Sequence, residues 1–114
     1  MPEKVKKVLD ERNISYSETS NYEDGLQGAD VLYVTRIQKE RFQDLSEYER
    51  LKDQFILRKL TLKDAKSDIT IMHPLPRVNE VDHEVDELPN AAFFRQAENG
   101  VPVRMALLHL LLNK

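Results

Sequence analysis

The segment His73-Pro74-Leu75-Pro76-Arg77 constrains this chain more than any other stretch of its sequence. It follows the short apolar run 69–72, which is typical of a strand entering a buried sheet. Its two prolines exclude a helix, remove two backbone donors and leave neighbouring carbonyls free. Ligands of open α/β sheets bind outside the carboxyl ends of strands, so we predict a binding site at this loop. The residue types alone are equally compatible with a rigid proline turn that carries a surface arginine.

A second β-prone apolar run, 31–34, is followed directly by Thr35-Arg36-Ile37-Gln38-Lys39-Glu40-Arg41. The planar guanidinium of arginine binds a carboxylate through two parallel hydrogen bonds. Two strands that both end in arginine-bearing loops therefore predict a shared site for an anion.

The two motifs HPLPRVNE and LYVTRIQKERF resemble the aspartate-binding half of the aspartate carbamoyltransferases, and the resemblance extends over residues 1–112. It implies an α/β fold with three layers, αβα, around a mainly parallel, Rossmann-like sheet. Residues 1–114 are then expected to be a partial aspartate-binding domain, because the family's first strand and helix of this domain should precede Met1. The Ser-Thr-Arg-Thr phosphate-binding motif of the family does not occur, so the carbamoyl-phosphate domain is expected to be absent.

The resemblance also implies the reaction, in which the amine of L-aspartate attacks the carbonyl carbon of carbamoyl phosphate in de novo pyrimidine biosynthesis. By the family match, Arg36 binds a carboxylate of aspartate and Gln38 hydrogen-bonds nearby. The backbone carbonyls of Leu75 and Pro76 face the reacting groups, which makes these two residues both substrate-binding and catalytic. The family match further implies a cis Leu75–Pro76 peptide bond. Ornithine-specific relatives carry His-Cys-Leu-Pro, whereas position 74 here is proline, so the expected substrate is aspartate.

Three charged residues are expected to support the site without touching the substrate: Glu40, Arg41 and Arg77. The resemblance implies that Glu40 and Arg41 form salt links between the two domains when the enzyme closes. The alternative is a solvated charge pair that contributes less than about 1 kcal/mol. The charged segment 38–45 is either an ordinary solvated connection or a mobile lid, and the resemblance favours the lid.

Three functional interpretations remain open. The chain is the aspartate-binding part of a carbamoyltransferase, a catalytically inactive binding or interaction fragment that needs a partner chain, or a non-functional truncation. The resemblance implies a homotrimeric parent protein in which L-aspartate and carbamoyl phosphate are the ligands. No cofactor or metal is expected, because the reaction needs neither and the three histidines lack metal-ligand spacing.

Composition narrows the classes of partner. A net charge of −3 provides no general basic field for nucleic acid, and no apolar run is long enough to span a membrane. The absence of cysteine excludes disulfides and fits a reducing compartment, so we expect a cytoplasmic protein.

Local patterns predict most of the remaining elements. They are a helix from Pro2 to about Asn13, a strand over 14–17, a short helix that Ser20 caps, a helix that Ser46 caps, a short helix that Thr61 caps, and a strand or turn over 91–94. His83 lies in an acidic stretch and is given no role. The final helix, from about Val101 to Leu112, is apolar on all sides, which predicts that a partner covers it.

Overall fold

The computed structural model describes residues 1–113 and has an α/β fold with a parallel sheet, as predicted. In chain order, the α-helices and strands are α1 (Glu3–Glu11), α2 (Tyr22–Leu26), β1 (Val31–Tyr33), α3 (Leu45–Leu51), β2 (Thr70–Met72) and α4 (Phe93–Leu112). The described residues also form 3₁₀ turns at Lys39–Arg41, Leu60–Asp64 and His83–Glu87.

The sheet is narrow and is centred on β2. Strand β1 pairs with β2 in parallel, with Leu32 opposite Ile71. On the other edge of β2, a parallel bridge joins Ile71 to Ala91. Within residues 1–113, no strand pairs with the other edge of β1. The parallel arrangement places the carboxyl ends of β1 and β2 side by side.

The core surrounds β2 and fixes the position of the loop that follows it. The fully buried side chains of Ile69 and Ile71 belong to the same apolar cluster as Leu57, Val85 and Phe93. Fully burying such a side chain stabilises a fold by about 1.5–3 kcal/mol, before the loss of conformational entropy is considered. Phe93 is the first residue of α4, so its burial anchors this helix beside β2.

Two predictions near the N-terminus need correction. The predicted strand over 14–17 is absent, because no strand among the described residues lies beside it and both Ile14 and Tyr16 are exposed. Helix α2 is present, but its cap is Asn21, whose side-chain oxygen accepts a hydrogen bond of 3.0 Å from the Glu23 amide.

Two later helices also begin before their predicted starts. Asp44, rather than Ser46, caps α3, since its carboxylate accepts hydrogen bonds from both the amide and the hydroxyl of Ser46. Helix α4 starts at Phe93 and continues through Gly100 and Pro102. The burial of Phe93 determines this start and outweighs the weak helix propensity of the two later residues.

None of the other described residues covers the second half of α4. All residues from 101 to 112 are exposed, and leucine dominates its last two turns. This agrees with the prediction of a helix that is apolar on all sides. In the described part of the chain, no helix is both long and apolar enough to cross a lipid bilayer.

Candidate functional site

An open cleft of about 650 Å³ lies at the carboxyl ends of β1 and β2, where the sequence predicted a site. It is formed by the loop after each strand. Its lining residues are Thr35, Arg36, Ile37, Gln38, Arg41, Phe42, His73, Pro74, Leu75 and Pro76. The structure therefore brings together all four predicted substrate-binding residues and Arg41, whereas Glu40 and Arg77 do not line the cleft.

Arg36 provides an accessible positive charge in the cleft. Its side chain is 43% exposed, and its nearest carboxylate is that of Glu40, with 3.8 Å between Nη2 and Oε1. An exposed ion pair at this distance contributes little free energy, so it leaves the guanidinium available to an incoming carboxylate.

The wall opposite Arg36 is the loop after β2. Its Leu75–Pro76 peptide bond is cis, as the family resemblance implied. Leu75 itself lies in the left-handed region with φ of 49°, which is uncommon for a residue other than glycine. Its amide donates a hydrogen bond of 2.9 Å to Nδ1 of His73.

A buried histidine–carboxylate pair holds this loop, and the sequence did not reveal it. His73 and Glu80 are 1% and 5% exposed, and Nε2 of His73 lies 2.8 Å from Oε1 of Glu80. The other carboxylate oxygen of Glu80 accepts hydrogen bonds from the amides of Val78 and Asn79. Burial by itself raises the pKa of Glu80, but the backbone amides and His73 outweigh it and keep the pKa below its ordinary value.

The only available signal for this pair was two ionisable residues seven positions apart around a proline-rich turn. Such spacing has no regular periodicity. It becomes a contact only when the turn closes, so a pattern based on helices or strands does not detect it.

Arg77 is directed towards the acidic 3₁₀ turn and away from the cleft. Its guanidinium binds the carboxylate of Asp86 through two hydrogen bonds and lies 5.6 Å from the ring centre of Phe93. This ion pair lowers the pKa of Asp86. Nδ1 of His83, which was given no role, lies 2.8 Å from the same guanidinium. Arg77 thus supports the loop from outside the cleft.

Two contacts with the Tyr48 ring connect the charged segment 38–45 to α3. Phe42 meets the Tyr48 ring edge to face, with 5.7 Å between ring centres, and the ammonium of Lys39 lies 5.8 Å from that ring. The side chain of Glu40 is 65% exposed. The roles of Glu40 and Arg41 in closing the site, and of the segment as a lid, stay predictions.

The family model described as "Aspartate/ornithine carbamoyltransferase, Asp/Orn binding domain" matches residues 1–111. The chain belongs to this carbamoyltransferase family.

Curated relatives of the chain include proteins named as catalytic subunits of aspartate carbamoyltransferase. The aspartate carbamoyltransferase catalytic subunit of Clostridium perfringens is 52% identical over 107 residues, which cover 94% of this chain and 35% of that protein. The corresponding subunit of Leptospira biflexa is 54% identical over 112 residues, covering 98% of this chain and 36% of that protein. The chain thus spans about one third of the length of these relatives.

Solved carbamoyltransferase structures have the same fold. The catalytic subunit of M. jannaschii aspartate transcarbamoylase superposes with a TM-score of 0.86 at 43% identity, covering 99% of this chain and 37% of that one. The Trypanosoma cruzi aspartate transcarbamoylase in complex with carbamoyl phosphate and aspartate gives a TM-score of 0.76 at 33% identity. This match covers 95% of the present chain and 36% of the Trypanosoma chain. The family that the two loop motifs predicted is confirmed.

Proposed function

We propose that this chain is the aspartate-binding part of an aspartate carbamoyltransferase. The carrying observation is the cleft itself, in which the Arg36–Gln38 loop faces the Leu75–Pro76 loop across the ends of two parallel strands. Family membership and the names of the relatives support this choice. Residues 1–114 would then act as one domain, in the cytoplasm, within a larger and homotrimeric enzyme.

In this proposal the chain supplies binding and orientation of the amino-acid substrate. The Arg36 guanidinium binds one carboxylate of L-aspartate bidentately and exchanges its loose contact with Glu40 for it. Gln38 donates a hydrogen bond to the same ligand. The carbonyl oxygens of Leu75 and Pro76 accept hydrogen bonds from N–H groups of the amine and the carbamoyl group.

Leu75 and Pro76 contribute to the reaction by orienting the aspartate amine. The aspartate nitrogen forms a bond to the carbonyl carbon, the bond from that carbon to the phosphate oxygen breaks, and phosphate leaves with its electron pair and accepts the proton that the nitrogen gives up. Backbone carbonyls do not remove protons, but they fix the direction from which the nitrogen approaches. Holding two reactants in a reactive geometry can supply about 7–11 kcal/mol of the barrier reduction.

The phosphate end of the reaction is assigned to a second domain. Arg36 and Arg41 are the arginines of the cleft, and Arg36 is committed to aspartate. We assign Arg41 and Glu40 to salt links with that second domain in the closed enzyme, and Arg77 to support of the loop.

The proposal is tested by combining the chain with the carbamoyl-phosphate half of the Clostridium perfringens subunit and measuring carbamoyl aspartate. Arg36→Ala should reduce kcat/KM for aspartate by about 30- to 1000-fold, because a charge-assisted contact worth about 2–4 kcal/mol is lost. Arg36→Lys should restore part of the loss, since an ammonium lacks the planar fork. Arg95→Ala, at an exposed position of α4, is the matched control. Unchanged aspartate kinetics in Arg36→Ala would contradict the assignment.

The second candidate is an aspartate-binding or interaction fragment without activity of its own. The small share of the relatives' length that the chain covers favours it for the isolated polypeptide. Calorimetric titration of the chain alone with L-aspartate, taken together with the reconstitution, separates the two ideas. Binding that never leads to carbamoyl aspartate, even with the complementary half present, identifies the inactive module.

A further inference from the structure

We propose that His73 is a positioning residue of this site, which acts by holding the backbone of Leu75 in the orientation that presents its carbonyl to the ligand. The inference rests on the proposed function, because it assumes that the Leu75 carbonyl contacts the substrate. His73 lines the cleft, but it has no role in the mechanism proposed for aspartate binding.

The hydrogen bonds of His73 determine which ring nitrogen carries the proton. The Leu75 amide is a donor and lies 2.9 Å from Nδ1, so Nδ1 must offer a lone pair. Nε2 lies 2.8 Å from the Glu80 carboxylate, which only accepts, so Nε2 carries the hydrogen. Glu80 therefore selects the one neutral tautomer that can bind Leu75.

The residue that His73 binds is the strained one. With φ of 49°, Leu75 occupies a region that costs a residue other than glycine about 1–3 kcal/mol. Such a conformation persists only where its surroundings fix it. The hydrogen bond from its amide to Nδ1 fixes the backbone of Leu75, alongside the packing of the leucine side chain against the core.

The backbone of His73 is fixed independently of its ring. Its amide donates a hydrogen bond of 3.0 Å to Oε1 of Gln96 on α4, and Nε2 of Gln96 donates to the Tyr33 hydroxyl at the end of β1. The main chain of residue 73 is thus tied to α4 and β1 whatever its side chain. Substitutions of the ring consequently test the two ring contacts one at a time.

Two substitutions separate these contacts. In His73→Asn, the side-chain oxygen reaches the place of Nδ1 and can still accept from Leu75, but the contact with Glu80 is lost. In His73→Gln, the terminal amide reaches the place of Nε2 and can still donate to Glu80, but the acceptor for Leu75 is lost. N-carbamoyl-L-aspartate is the probe, because its carbamoyl N–H groups can donate to the Leu75 carbonyl.

We expect His73→Asn to bind the probe within about threefold of the original chain, and His73→Gln to bind it about tenfold more weakly, the effect of one lost hydrogen bond. His109→Gln, at an exposed position of α4, should leave binding unchanged. Urea unfolding of each variant accompanies the titrations. If both His73 variants lose affinity in proportion to their lost stability, the role is only structural and the proposal is overturned.

Nuclear magnetic resonance tests the same proposal without the ligand. The ring nitrogens of His73 should show a protonated Nε2 and an unprotonated Nδ1, and the Leu75 amide should exchange slowly in the original chain and in His73→Asn but rapidly in His73→Gln. The opposite tautomer, or equal exchange in the two variants, overturns the proposal. If the original chain, combined with the carbamoyl-phosphate half, does not bind the probe while these signals are as expected, the proposed function fails and the positioning of Leu75 by His73 stands.

Discussion

Replacing Glu80 by glutamine should destabilise this protein strongly, although the two side chains have nearly the same shape. Three hydrogen-bond donors converge on the buried carboxylate: Nε2 of His73 on one oxygen, and the amides of Val78 and Asn79 on the other. A glutamine amide has only one oxygen. In either orientation, its NH₂ group faces at least one of these donors.

Neither orientation can be repaired by a change at the histidine. If the glutamine NH₂ faces His73, the ring must move its proton to Nδ1, where it meets the Leu75 amide, another donor. We therefore expect the free energy of unfolding to fall by about 2–4 kcal/mol, the cost of losing hydrogen bonds to a charged group and leaving a buried donor unpaired. For a domain of this size, that lowers the melting temperature by roughly 10–30 °C.

Urea unfolding at pH 7, followed by circular dichroism, measures this difference. Glu98→Gln, at an exposed position of α4, should change the free energy of unfolding by less than about 0.5 kcal/mol. If Glu80→Gln were as mild as Glu98→Gln, the convergence of three donors on Glu80 would be energetically unimportant and the argument refuted.

The stability difference between the original chain and Glu80→Gln should also depend on pH in a defined direction. The pKa of Glu80 is lower in the folded chain than its ordinary value of 4.5. A carboxyl group with a lowered folded pKa stabilises the fold at pH values above its unfolded pKa, and this stabilisation is lost as the pH falls through the folded pKa. The stability gap between the original chain and Glu80→Gln should therefore be constant near neutral pH and should narrow only below about pH 4.5.

Three further changes have defined outcomes. Arg77→Lys should lower the free energy of unfolding by about 1–2 kcal/mol in urea unfolding, because lysine cannot reproduce the two-hydrogen-bond contact with Asp86 and the stacking on an aromatic ring. Tyr22→Phe should raise the free energy of unfolding by about 1 kcal/mol in the same assay, because the buried Tyr22 hydroxyl has no hydrogen-bond partner among residues 1–113. The isolated chain should self-associate in sedimentation through 101–112, and replacing Leu107 and Leu111 with glutamate should restore a monomer, since both leucines are exposed on an uncovered apolar helix.

Each of these outcomes has a matched control or a contrary result. Lys63→Arg, in an exposed pair with Asp64, should be neutral and shows that an exchange of basic residues is not harmful in itself. A destabilised Tyr22→Phe variant would mean that the hydroxyl has a partner in solution. A monomeric original chain that does not bind a hydrophobic dye would show that the apolar surface of α4 is covered by another part of the chain.

Sequence patterns were sufficient for the parts of the site that depend on strands and their direction. The runs 31–34 and 69–72 are short and apolar, and each leads directly into a loop with characteristic residues, so both strands and the shared cleft could be predicted. The direction of the Arg77 side chain could not be predicted from the strands alone. Its two possible directions differ only in which neighbours the folded chain brings near, and Asp86 and Phe93 are close to it only in three dimensions.

The predicted starts of two helices were wrong for a related reason. Asp44 and Ser46 are both good capping residues, and the sequence alone does not say which of them lies at the first turn. For α4, Gly100 and Pro102 suggested a later start than the one observed. The burial of the Phe93 ring determines where α4 starts. That burial depends on β2, which is distant in sequence.

The parallel pairing of β1 with β2 has a consequence for the order of events during synthesis of the chain. Val31 lies opposite Thr70, so about 40 residues must be closed into a loop before the two strands can meet. Arg36 therefore leaves the ribosome long before its partner loop at Leu75 exists. A nascent chain that ends at Met72 has the guanidinium and both strands but no opposite wall, so the cleft is complete only when the loop after the second strand has been added.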